Sequence, residues 1–289
     1  MSKSYLFVIL LLFCVVGSLF SQQITSASPE VMQTLMTVSK RIRLDTCVLQ
    51  VQYRMLSVTD ANKPDKKKDN LMLLQIGLNI SKFSDFFVLR GDSLREVHAA
   101  QKINLVESTN KLLPLLKGTT PLNVFKNYPA GKITVLDRVP LSTTYKYIED
   151  REKPEWKMEP GNLTVCGYEC RKATTSFRGR HYTAWYAPEI AVSEGPWKFW
   201  GLPGLILKVE DDRGHYTFEG VAIEKARGIV PIYILDQTYI NTTKARFNKA
   251  LKNFYDNPGG TIQASGVVQG GLPDNIQSRP YNPIELTDE

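Results

Sequence analysis

Residues 195–206 read GPWKFWGLPGLI, which joins turn-forming residues to more apolar surface than a solvated loop normally leaves exposed. In Leu202-Pro203-Gly204-Leu205, proline stands where a type II turn fixes φ at about −65°, and glycine where that turn requires positive φ. The spacing therefore predicts a type II turn. Gly195-Pro196 opens the segment, Trp197, Phe199 and Trp200 follow, and Gly201 leads into the turn and on to Leu205, Ile206 and Leu207. A bend flanked in this way must either pack onto a core or present a binding surface.

The rest of the chain reads mainly as strands. Cys47, Leu49, Val51, Tyr53 and Met55 alternate with Val48, Gln50, Gln52 and Arg54. Met72, Leu74, Ile76, Leu78 and Ile80 alternate in the same way. The charged run KPDKKKD, Lys63 to Asp69, joins these two segments as the loop of a long hairpin. Ile133 to Val139, Ser142 to Ile148, Leu163 to Thr174 and Arg178 to Ala187 are further expected strands. Leu205, Leu207 and Val209 run up to a turn at Asp211 to Gly214, from which Tyr216 and Phe218 return. The apolar phase then slips at Gly220, which predicts a bulge.

Phe247, Ala250, Leu251 and Phe254 share one helical face, begun by Asn241-Thr242-Thr243 and stopped by Asn257-Pro258-Gly259. A second helix is expected between Ser84 and Leu116, and a short one from Ser28 towards Val38. The expected fold is mainly β (α+β). It is one large curved antiparallel sheet, half-barrel or sandwich-like, with two or three packed helices.

Lys3, the apolar run Tyr5 to Val16 and the small residues Gly17, Ser18 and Ser21 form an export signal over residues 1–21. That run is short for a spanning helix, which needs about 20 apolar residues. Residues 22–289 are accordingly expected to be a single exported domain with no retained transmembrane helix. Removal of the signal takes one lysine from the 36 Lys+Arg, leaving 35 against 29 Asp+Glu. In an exported chain this modest excess favours anionic surfaces over nucleic acid. Cys14 leaves with the signal, and Cys47, Cys166 and Cys170 remain. On one continuous strand Cys166 and Cys170 would lie about 13 Å apart, beyond disulfide reach. At most one bridge could form, so stability must come from the core.

Chemistry is sparse. His98, His181 and His215 form neither HxH nor HExxH, no GxSxG elbow is present, and no glycine loop has the lysine and helix that a phosphate cradle needs. No catalytic residue, metal ligand or cofactor is assigned. A metal-assisted hydrolase built from His181, His215 and a loop acid (Glu189, Glu194, Asp211 or Asp212) is the enzymatic alternative. The aromatic concentration is the stronger feature. Arg180, Tyr182, Trp185, Trp197, Phe199 and Trp200 are the candidate binding residues, because aromatics with basic neighbours suit a groove. The same residues also suit the core and rim of a β-structure.

The block from Cys170 to Asp211 resembles the exported GLPGLI family of Bacteroidetes, through GLPGLI at 201–206, KAT at 172–174, FRGR at 177–180, TAWY at 183–186 and GPWKF at 195–199. LQIG at 74–77, SKF at 81–83 and the closing NPIEL at 282–286 extend the resemblance over nearly the whole mature chain. It implies a periplasmic or cell-surface protein of a Gram-negative bacterium, from a family without an established activity, so no catalytic residue is carried over. The expected function is a non-catalytic β-rich domain that binds an apolar or peptide ligand or an envelope protein on a curved sheet, as lipoprotein-carrier half-barrels hold apolar ligands. That comparison is one of architecture alone. A structural role in an outer-membrane complex is the remaining alternative.

Overall fold

The computed structural model describes residues 29–140, 142–264 and 276–287; the expected export signal lies outside them. Helix α1 (Pro29–Gln33) is followed by β1 (Arg41–Val58), β2 (Lys67–Gly77) and β3 (Ser81–Asp85), then α2 (Phe86–Ala100) and α3 (Leu105–Leu116). Next come β4 (Asn123–Lys126), β5 (Lys132–Asp137), β6 (Tyr145–Asp150), β7 (Lys157–Val165), β8 (Tyr168–Phe177) and β9 (Arg180–Ala187). The chain continues through β10 (Leu205–Asp211), β11 (Tyr216–Leu235), β12 (Ile240–Asn241), α4 (Lys244–Asp256) and α5 (Pro258–Ala264). The fold is mostly β, built on one large open sheet of 12 strands in the order β12-β6-β5-β4-β3-β2-β1-β11-β10-β9-β8-β7. The sheet is mixed, since β12 runs parallel to β6 while the other neighbours are antiparallel.

The period of two along β1 and β2 has its expected consequence. Val51, Tyr53 and Met55 on β1, with Met72, Leu74 and Ile76 on β2, are buried on one face. On β2 and β3 the opposite face is buried as well, at Leu73, Gln75, Lys82 and Ser84, and α2 packs against both strands. The slip at Gly220 is a bulge, for Gln52 pairs with Ala222 while Tyr53 pairs with Gly220. A Cβ at Gly220 would lie 3.2 Å from the Leu207 carbonyl oxygen, so the close approach of β10 to its neighbour β11 at the bulge favours a residue without a side chain.

Two expectations are corrected. Leu163 to Thr174 is not one strand, because Cys166 takes a left-handed backbone (φ 52°) and, with Gly167, turns β7 into β8. Cys166 therefore sits at a hairpin tip and not on one continuous strand with Cys170. The thiols of Cys47, Cys166 and Cys170 are free, and burial pushes those of Cys47 and Cys170 up to about 11, as befits inert packing groups. The single helix expected within Ser84–Leu116 is two, separated where Asn104 caps α3 by accepting from the Glu107 amide at 2.8 Å.

Asp85 ties the helical layer to the sheet. Its carboxylate accepts from the Phe87 and Val88 amides at the start of α2, from the Thr120 amide at 3.0 Å and from Asn70 Nδ2 at 3.2 Å. Asp85→Ala removes a cap and strands buried donors, so it is expected to cost roughly 2–3 kcal/mol. Urea denaturation measures this directly, and a loss below about 0.5 kcal/mol would show the cap to be dispensable.

Candidate functional site

Residues 188–204 join β9 to β10, and within them 195–199, Leu202 and Gly204 are buried inside the roll of the sheet. The Lys198 ammonium is 5.6 Å from the Tyr147 ring on β6, while the Phe199 ring is 4.8 Å from that of Tyr182 on β9. In the strand order β6 is second and β9 tenth. A flat sheet would hold them about 38 Å apart. Both reach one loop only because the sheet curls around it. Phe199 sits at the centre, with edge or tilted contacts to Trp156, Phe177, Trp197 and Phe218 at 5.2–6.3 Å. Trp197, Phe199 and Leu202 are all within 1% of full burial.

Backbone geometry explains the glycines of the motif. A Cβ on Gly195 would lie 2.8 Å from that of Ile206, and one on Gly204 would lie 2.3 Å from the Ala187 carbonyl oxygen. Gly204 also has φ 152°, which disfavours any L side chain. The turn is tighter than the expected type II. The Gly204 amide donates to the Leu202 carbonyl at 2.9 Å, whereas the Leu205 amide, which would close a type II turn, donates instead to Ile190 at 3.1 Å.

A loop in an apolar interior must satisfy its carbonyls, and Lys126 does so. Its ammonium, fully buried on β4, donates to the carbonyls of Gly195 at 2.6 Å and Phe199 at 3.0 Å. It also pairs with Glu194 at 2.6 Å. Glu194 in turn accepts from Arg151 at 2.8 Å and Ser81 at 3.0 Å. Burial lowers the Lys126 pKa and Glu194 opposes that shift.

A second cluster lies at the other side of the loop. Lys198 is 2.5 Å from both Glu149 and Glu285, Lys244 is 3.1 Å from Glu285, and Arg178 reaches Glu152 at 3.1 Å. Glu285 belongs to the C-terminal segment, which also engages Arg180. The Arg180 guanidinium pairs with Asp211 at 2.7 Å and donates to the Ile284 and Pro283 carbonyls and to Asn282 Oδ1.

The six residues proposed for binding divide sharply. Arg180, Tyr182, Trp197 and Phe199 are buried, and their contacts are internal. Trp185 and Trp200 keep partial exposure. Arg151 stacks 3.9 Å over the Trp200 ring, whose Nε1 donates to the Glu152 carbonyl at 3.0 Å, and Trp156 donates to the Trp200 carbonyl at 2.8 Å. Lys172 lies 6.0 Å from the Trp185 ring. Of the groups considered for metal chemistry, His181 bonds Ser176 at 3.0 Å, His215 contacts Asn282 at 3.2 Å, Asp211 is taken by Arg180 and Glu194 by Lys126. Among the described residues no three His, Cys, Asp or Glu side chains form a group that could hold a metal ion. Sequence reasoning missed Lys126, Glu149 and Lys244, since an isolated lysine or glutamate gives no signal of burial. Glu285 stood in the NPIEL segment and carried a hint.

A protein-family model described as "Protein of unknown function (Porph_ging)" matches residues 177–208, the stretch from the end of β8 through β9 and the β9–β10 loop into β10. No curated protein matches the chain. Among solved structures, "Structure of PNGF-II in P21 space group" is similar at 14% identity and a TM-score of 0.47, covering 71% of this chain and 33% of that one. "Structure of PNGF-II in C2 space group" is similar at 14% identity and 0.46, covering 71% and 32%. The chain thus spans about a third of the length of the PNGF-II structures it matches.

Two measurements test this arrangement. Lys126→Met leaves Glu194 without its closest cation and two loop carbonyls without a donor, so a loss of about 3–5 kcal/mol is expected in chemical denaturation. Retention of wild-type stability would mean that the loop does not depend on this anchor. For Glu285, burial raises the pKa, but Lys198 and Lys244 outweigh it and hold the carboxyl below its usual 4.5. A lowered folded pKa gives stability that is complete above the unfolded value and fades as pH falls through the folded one. Acid unfolding of the wild type should therefore steepen below about pH 4.5, and Glu285→Gln should flatten that limb. Parallel acid limbs for the two proteins would show that Glu285 is not the responsible group.

Proposed function

We propose that the protein is an exported, non-catalytic cell-envelope protein that recognises a macromolecular partner at the rim of its rolled sheet, through Trp200 with Arg151 and Trp156, and through Trp185 with Lys172. The observation carrying this reading is the division of the aromatic cluster. Trp197, Phe199 and Leu202 fill the interior, which favours a partner outside over an apolar ligand within. The remaining Trp200 is pre-ordered by hydrogen bonds and a stacked cation yet still meets solvent. Rigid, half-exposed tryptophan beside arginine is the composition of interface hot spots. The signal-like N-terminus and the resemblance to exported Bacteroidetes proteins support placement in the periplasm or at the surface of a Gram-negative cell. Among the described residues no helix is long and apolar enough to cross a membrane.

A photo-crosslinking residue beside Trp200, at Lys153, should capture a discrete envelope partner. Trp200→Ala should then weaken that partner's affinity by about 5- to 100-fold, the range for a hot-spot truncation, with little change in thermal midpoint. Unchanged affinity, or an effect confined to unfolding, would assign the rim to structure alone.

A further inference from the structure

The C-terminal segment is held as a ligand is held. Tyr216 donates to the Asn282 carbonyl at 2.5 Å, Arg180 donates to the Pro283 carbonyl at 2.6 Å and the Ile284 carbonyl at 3.0 Å, and the Leu286 amide donates to the Arg178 carbonyl at 2.9 Å. Asn282 is read at both ends of its amide, Oδ1 by Arg180 at 2.8 Å and Nδ2 by the Val58 carbonyl at 2.7 Å. The Glu285 carboxylate is clamped by Lys198 and Lys244. Among the described residues, 282–286 join no strand of the sheet. Five consecutive residues are thus gripped mainly by side chains from β9, the β9–β10 loop, β11 and α4.

Two of the receiving cations are held in place without the tail. Arg180 is fixed by Asp211 at 2.7 Å, and Lys198 by Glu149 at 2.5 Å. Arg180 and Lys198 would each keep a carboxylate partner if the tail left, whereas Lys244 pairs with Glu285 of the tail and would have to turn its ammonium to solvent. The tail contributes little to the core, since Ile284 is only partly buried against it and Leu286 is 44% exposed. Cations and hydroxyls, partly preordered, that hold an extended segment outside the sheet are the arrangement of a recognition site.

We infer that the surface beneath residues 282–286 is a peptide-binding site, occupied in cis by those residues, that accepts an extended Asn-Pro-apolar-Glu segment from another polypeptide by exchange. Proline suits the second position because no amide is needed there, and the paired lysines select an acidic residue at the fourth. The inference does not rest on the Trp200 rim, so either can fail alone.

The test places a protease site at Gln277-Ser278, both exposed, leaving Arg279 and its bond to the Tyr255 carbonyl on the severed tail. After cleavage, a fluorescent peptide of residues 279–289 should replace the tail and bind saturably, and the same peptide with Glu285→Lys should bind at least tenfold more weakly. The folded sheet should persist when the tail is diluted away. No uptake of labelled peptide, equal binding of the charge-reversed peptide, or unfolding on loss of the tail would each overturn the inference. In the intact chain, hydrogen exchange should release the Leu286 amide well before that of Tyr182, and release of the two together would also overturn it.

Discussion

A sheet rolled until its second and tenth strands meet one loop encloses more volume than its own inward side chains fill. That volume must be closed by something apolar, because interiors are packed to crystal-like density and each void forfeits contact energy. Here the filling is the β9–β10 connection. Its aromatic residues, especially Trp197 and Phe199, supply the bulk, and Phe199 makes ring contacts with β8, β9 and β11 at once. Remove that loop and the curvature has no support.

Filling a core with backbone creates a second demand, since each buried carbonyl needs a donor. The sheet answers with long hydrogen-bond-donating side chains that cross the interior. Lys126 reaches two loop carbonyls from β4, and Tyr53 on β1 donates to the Ile206 carbonyl at 2.6 Å. A buried ammonium is tolerable only with a carboxylate beside it, hence Glu194, itself steadied by Arg151 and Ser81. Glu194 and Asp211 are therefore counter-ions of structural cations.

Legibility in the sequence followed the range of each interaction. Strand alternation, the bulge at Gly220 and the helix capped by Thr243 depend on neighbours within a few residues, and each could be read. The division at Cys166 could not, because a left-handed non-glycine residue leaves no periodic trace. The Pro203-Gly204 bend was visible as a turn, yet its class depended on Ile190 taking the Leu205 amide, a contact the local tetrad does not contain. The aromatic cluster was the hardest case. Trp197, Phe199 and Trp200 look alike in sequence, and only the roll of the sheet turns the first two inward and leaves the third at the rim.

That outcome bears on how a distinctive motif should be weighed. A segment such as GPWKFWGLPGLI attracts attention because many of its positions are chemically constrained, and active sites are one source of such constraint. Close backbone approach is another. Gly195 and Gly204 are fixed by atoms under 3 Å from where a Cβ would stand, and Trp197 by the space it fills. None of these constraints involves a reacting atom. Recognition would then fall to residues whose identity the core leaves freer, at the rim and beneath the tail. These are also the places where a partner's free energy of binding could be exchanged for contacts the protein makes with itself.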